Sequence, residues 1–178
     1  MGSGDYENIY LTDLGTSAII LDNEIKQGRN GISVTKLASA FVQRNKITHM
    51  SKEGVNIFDS GIAYIFDNVI ASCGESGIYI SEPLENADIN EVIQLMKQMI
   101  AAVQNRYYDN VLKRPGMTCT IIESNQIHDN TIGVVVENCG AFLLDNHIYS
   151  NKEYNTLIQF APLFFNITNN FGVEHFQV

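Results

Sequence analysis

Asn23-Glu24-Ile25-Lys26-Gln27-Gly28-Arg29-Asn30-Gly31-Ile32-Ser33-Val34 is one copy of a frame that returns along the chain. An asparagine with an aliphatic residue two places later recurs at Asn23, Asn45, Asn68, Asn125 and Asn146. The copies lie roughly 22 residues apart, except between Asn68 and Asn125, where the interval grows by roughly 35. Each of the first four is followed by glycine-aliphatic-x-aliphatic: Gly31-Ile32-Ser33-Val34, Gly54-Val55-Asn56-Ile57, Gly77-Ile78-Tyr79-Ile80 and Gly133-Val134-Val135-Val136. A period in this range marks a solenoid, in which each repeat buries its apolar side on its neighbours. Function then has to sit on an outer face, an end or an insertion, because stacking consumes the interior.

The columns around the asparagine are nearly uniform. Five residues before it stand Ala18, Ala40, Ala63, Thr120 and Ala141, and three before it Ile20, Val42, Ile65, Ile122 and Leu143. Two after it stand Ile25, Ile47, Ile70, Ile127 and Ile148. Small-x-aliphatic alternation has the strand period of two. Asn166 reads as a degenerate sixth copy, with Ala161 and Leu163 ahead of it and Thr168 behind. Stacked asparagines can pair amide to amide along the axis and tolerate bends. The glycine column reads as a second bend, where positive φ is cheap. A weaker polar column five residues after the asparagine holds Asn130 and Asn151, with Cys73 in register. Asn8-Ile9-Tyr10-Leu11 reads as a partial first turn, and Gly172-Val173 as the start of another.

This pattern, carried by Asn23-Glu24-Ile25 to Gly31-Ile32-Ser33-Val34 and its counterparts, resembles the right-handed parallel β-helix family. That family is seen in pectate lyases and in the β-helix regions of F-box and Shc-binding proteins. The resemblance implies an all-β, right-handed parallel β-helix solenoid of about six turns, each adding roughly 4.8 Å. It implies one domain over residues 5–178, with Met1-Gly2-Ser3-Gly4 expected to be a cloning remnant. Fold alone does not fix activity.

The long interval is read as an insertion over about 81–117 carrying one amphipathic α-helix over about 88–110. Asp88 with Glu91 makes a capping box, and Lys113-Arg114-Pro115-Gly116 ends the helix. Ile89, Val92, Ile93, Met96, Ile100, Val103 and Tyr107 share one face. That face either covers the solenoid flank or docks a partner, and Met96 and Met99 suit an adaptable surface.

The 178 residues are 45% hydrophobic and 17% charged, with a net charge of −9 and 11 Lys+Arg. This balance argues against nucleic acid as a partner, since phosphate neutralisation needs cations. There is no polybasic membrane surface and no stretch of about 18 apolar residues, so no membrane role is expected. Three cysteines, Cys73, Cys119 and Cys139, suit reduced thiols and a cytoplasmic or nuclear setting. Asn166-Ile167-Thr168 matches the glycosylation acceptor, a pattern short enough to arise by chance.

If small-x-aliphatic points inward, the residues between point out. These are Ile19, Phe41, Tyr64, Ile121 and Phe142 in one column, continued by Pro162. The other column is Leu21, Gln43, Phe66, Glu123, Leu144 and Phe164. A solvated strand face should be polar, so a contiguous apolar one marks an interface. Ile19, Leu21, Phe41, Tyr64, Phe66, Ile121, Phe142, Leu144 and Phe164 are therefore the expected partner-binding residues. Asp22, Arg44 and Asp67 form a column of alternating charge, read as a surface ion-pair ladder. The histidines His49, His128, His147 and His175 lack metal-ligand spacing. No phosphate loop, dinucleotide loop or serine-nucleophile motif is present. Cys73 reads as a buried ladder mate rather than a nucleophile.

The expectation is a non-catalytic protein-interaction module, a scaffold or adaptor, without catalytic, cofactor-binding or metal-binding residues. Its partners would be another protein or a second copy. The rival is a carbohydrate-binding or polysaccharide-degrading β-helix. A cleft with three or more carboxylates and a basic residue would favour the rival; a flat apolar strip would favour the adaptor.

Overall fold

The computed structural model describes residues 6–81, 119–159, 165–168 and 170–172. Within them, strands form three parallel sheets that the chain visits in rotation. The first sheet holds β1 (Ile9–Leu11), β4 (Ile32–Val34), β7 (Val55–Ile57), β10 (Ser76–Ile80), β13 (Ile132–Glu137) and β16 (Tyr154–Gln159). The second holds β2 (Ser17–Leu21), β5 (Ser39–Gln43), β8 (Ile62–Phe66), β11 (Cys119–Glu123), β14 (Gly140–Leu144) and β17 (Phe165–Thr168). The third holds β3 (Glu24–Gly28), β6 (Lys46–Met50), β9 (Val69–Ala71), β12 (Gln126–His128) and β15 (His147–Tyr149). Five coils carry all three strands, and β16 and β17 belong to a sixth. The expected helix over 88–110 lies outside the described residues.

The sequence columns are the ladder register. Ile9 pairs with Ile32, Ala18 with Ala40, Ala40 with Ala63, and Ile25 with Ile47 and then Ile70. Of the inward members, Ile32, Val42, Ile47, Ile65, Ile122 and Leu143 are wholly buried, while Ile9 and Ala18 on the first coil are half-buried. One left-handed residue turns the chain between the second and third sheets in every coil: Asp22, Arg44, Asp67, Ser124 and Asp145, at φ from 51° to 57°.

The asparagine column runs as expected. In each of Asn23, Asn45, Asn68 and Asn125 the backbone N–H and the side-chain Nδ2 both donate to the Oδ1 of the next asparagine, at 2.9–3.1 Å. The shorter column is present too: Cys73 N–H donates to Asn130 Oδ1, and Asn130 N–H to Asn151 Oδ1.

Two readings are corrected. The sixth ladder member is Asn170, which accepts from Asn146 N–H and Nδ2 at 2.8 Å, whereas Asn166 pairs with Phe142 in β17. A coil must pass three strands and their corners, and the separation of 24 residues to Asn170 meets that circumference. The glycine column is also not a positive-φ bend, because Gly31, Gly54, Gly77 and Gly133 are absent from the left-handed region. Glycine is needed there for close approach: a Cβ on Gly54 would lie 2.6 Å from the Gly77 carbonyl oxygen, and one on Gly77 2.7 Å from that of Gly133.

Candidate functional site

The outer side of the second sheet carries the predicted apolar columns, and the structure divides them. Phe41, Tyr64, Ile121 and Phe142 are buried within this single chain and form an apolar cluster of their own. Phe66 and Leu144 pack half-buried against it. Phe41 meets Tyr64 edge-on with ring centroids 5.4 Å apart. The Tyr64 hydroxyl donates to the buried Glu123 carboxylate, so the cluster's polar atom is satisfied. Ile19 and Leu21, on the first coil, remain 59% and 38% exposed. Phe164 lies outside the described residues.

The outer side of the first sheet carries a groove of about 540 Å³ lined by Glu53, Glu75, Tyr79, Glu137 and Gln159, with Val135 and Leu157 among the apolar residues. The sheet register sets Tyr79, Val135 and Leu157 side by side on successive coils. Glu53 is buried, and that burial pushes its carboxyl up to about 7, helped by the hydrogen bond and the charge of Glu75. Glu75 is held below the usual carboxylate range, first by Lys52, 2.8 Å away, and then by Glu53. The Tyr79 hydroxyl donates to Glu137 Oε2 at 2.6 Å, and burial with that neighbour pushes its pKa up to about 12. Sequence reasoning missed this groove, because its carboxylates occupy no common column.

The third sheet brings together rings that the sequence separates. His128 stacks on Tyr149 at 4.9 Å, His147 lies 4.6 Å from Tyr149, and Phe171 meets His147 edge-on at 4.7 Å. His128 and His147 do stand in different columns, and Tyr149, paired with His128, bridges them. Of these contacts, His128 and Tyr149 stack face to face along the axis, at 16° between planes, whereas His147 and Tyr149 are tilted neighbours within one strand and Phe171 stays exposed. Among the described residues no group of three His, Cys, Asp or Glu side chains is placed to hold a metal.

The Asp22–Arg44–Asp67 column reduces to one exposed fork: Arg44 Nε and Nη2 each lie 2.7 Å from an Asp22 oxygen. This fork lowers the Asp22 pKa and raises that of Arg44, to which Asp67 adds least. Cys73 and Cys139 are buried, and burial pushes both thiols up to about 12, so they stay protonated at neutral pH.

Three parallel sheets wound into one coil, with an asparagine at the corner between the second and third, are matched by the family model for a right-handed beta helix region over residues 3–171. The chain belongs to the right-handed β-helix family. No curated protein and no solved structure matches it. Within this β-helix the largest apolar side chains left exposed among the described residues all lie toward its two ends. Tyr6, Tyr10, Leu14, Ile19 and Leu21 belong to the first coil and its approach, and Tyr154 and Phe171 to the last.

Proposed function

We propose that this β-helix is a non-catalytic protein-interaction module, a scaffold or adaptor that engages a partner protein through its outer surface. The observation that carries the reading is that the apolar outer columns of the second sheet run on to Ile19 and Leu21 of the first coil, which are 59% and 38% exposed. Exposed apolar surface continuing such a column suits an interface. Ile19 and Leu21 are the members of the predicted partner-binding columns that fit this role, since Phe41, Tyr64, Ile121 and Phe142 are buried already. The test is the double variant Ile19→Asp, Leu21→Asp. It is expected to lose association in sedimentation while keeping its melting temperature; unchanged association would overturn the reading.

A second reading, carbohydrate binding, is favoured by the groove on the first sheet. Glu53, Glu75 and Glu137 with the adjacent Lys52 meet the count of three carboxylates and a base. Cleavage is harder to support. Glu53 and Glu75 are hydrogen-bonded to each other, whereas paired glycosidase carboxyls stand about 5–9.5 Å apart to admit the sugar or a water. Calorimetric titration with acidic and neutral polysaccharides distinguishes the two readings: heat of binding that is lost in Glu137→Gln would favour the carbohydrate.

A further inference from the structure

We infer that the groove on the outer side of the first sheet seats a basic side chain, an arginine carried by an extended segment of a partner protein. This is a second contact surface, apart from Ile19 and Leu21, and so goes beyond the interaction reading above. Shape, charge and floor meet here. The groove holds about 540 Å³, within the range of roughly 300–1,000 Å³ in which ligand sites fall. Among the described residues its lining contains three carboxyls, Glu53, Glu75 and Glu137, and no lysine or arginine. Lys52 stands outside the lining and is already paired with Glu75, 2.8 Å away. Glu137 accepts the Tyr79 hydroxyl on Oε2 and, among the described residues, pairs with no cation. Tyr79, Val135 and Leu157 lie side by side on three neighbouring strands and give the groove an apolar floor.

An apolar floor beside acids selects the ligand. An arginine lays its aliphatic stem along apolar surface while its charged head stays with a carboxylate. The guanidinium fork matches a carboxylate in two parallel hydrogen bonds. Each carboxylate oxygen accepts twice, so the Tyr79 bond does not block such a fork at Glu137. Glu53 and Glu75 are hydrogen-bonded to each other, two acids sharing one proton. A cation beside them relieves the repulsion that the shared proton now relieves. A neutral sugar would leave these acids without a counter-charge, and its flat faces would find one aromatic ring in the lining, Tyr79. An extended segment turns every second side chain to one face, which suits arginines that alternate with small residues.

Fluorescence anisotropy of the 178-residue chain with a labelled, amidated hexapeptide alternating alanine and arginine tests this. The peptide should bind, lose affinity as salt rises, and bind Glu137→Lys roughly tenfold or more weakly. Glu137→Gln, which still accepts from Tyr79, should weaken it too. Leu157→Arg, which sets the chain's own cation on the floor, should do the same with an unchanged circular-dichroism spectrum. Glu24→Lys, the same change of charge on the third sheet, should not. The Ile19→Asp, Leu21→Asp variant should bind the peptide as wild type does, so the failure of one surface is read apart from that of the other. No binding overturns the inference, as does equal binding of the same peptide with glutamate for arginine. So does weakening by Glu24→Lys to the same extent, or wild-type affinity in the groove variants. Calorimetric heat from a neutral polysaccharide with none from the peptide also overturns it, and gives the groove to the carbohydrate reading.

Discussion

The middle coils and the first coil share one sequence frame, yet they are held differently. Asn45, Asn68 and Asn125 are 1–2% exposed, with a coil on either side, whereas Asn23 is exposed and, among the described residues, has a ladder neighbour on one side alone. Phe41 and Tyr64 are buried where Ile19, in the same column, is not. A residue type at a given position therefore has no fixed worth in this fold. Its contribution depends on how many coils flank it, as expected where stability is a sum over neighbouring repeats.

The widest gap between the two regions should come from glycine. A Cβ on Gly77 would lie 2.7 Å from the Gly133 carbonyl oxygen and 2.7 Å from Ile127 Cγ2. Backbone on one side and core on the other leave no direction for relief. Gly77→Ala should cost more than about 3 kcal/mol. Gly15, ahead of β2, has nothing within 4 Å of its added Cβ and only its φ of 87° to oppose substitution. Gly15→Ala should cost about 1 kcal/mol. Urea midpoints at equal m-values check both, and equal costs would erase the distinction.

The ladder offers the next contrast. Asn68→Ala would strip the acceptor from Asn45 N–H and Nδ2 and the donor from the Val42 and Phe66 carbonyls. Several unsatisfied buried groups should cost about 3 kcal/mol in all. Asn23→Ala removes bonds to Leu21 and Asn45 at an exposed end, where water replaces them, and should cost about 1 kcal/mol or less.

These contrasts explain what could be read from the sequence. The coil and its ladder were legible because stacking imposes like on like, and Ile25, Ile47, Ile70, Ile127 and Ile148 record it directly. The last coil was misread because Gly172 follows Asn170 where the others have isoleucine, so Asn166 looked the better match. The glycine column was legible as a column but not as a cause. Sequence cannot separate a left-handed φ from a carbonyl one coil away, and the left-handed positions turned out to be Asp22, Arg44, Asp67, Ser124 and Asp145. The apolar strip from Phe41 to Phe142 was legible as apolar; its burial depends on what else the chain places there. The groove was not legible, since Glu53, Glu75 and Glu137 meet only after the coils are stacked.

The groove gives the middle coils a loss of stability with rising pH, opposite in sign to the effect of the lowered Asp22 pKa on the first coil. The Glu53 pKa rises from an ordinary 4.5 to about 7 on folding. Its contribution is thus whole below about pH 4.5, declines as the unfolded chain alone gives up the proton, and is gone above about pH 7. Glu75 is lowered, so its contribution holds above the ordinary carboxylate range and is lost only as pH falls beneath it. Between pH 5 and pH 8 the protein should lose on the order of 2 kcal/mol through Glu53. Glu53→Gln should flatten that slope in thermal melts; a slope identical to wild type would mean that the groove does not hold Glu53 protonated.

The smallest effect belongs to the Asp22–Arg44 fork, and it separates charge from backbone. Both side chains are about half exposed, at 60% and 46%, where an ion pair is screened by solvent and salt. Asp22→Asn removes the charge but keeps a residue type that tolerates the left-handed φ of 57°. The melting temperature should not move measurably, in low salt or high. Asp67 occupies the same corner at φ 54° between two coils. Asp67→Val, β-branched in the left-handed region, should cost about 1–2 kcal/mol. If Asp22→Asn proved the more damaging of the two, the corner would be held by its charges, and the left-handed column would be their consequence rather than the feature that sets which residues stand there.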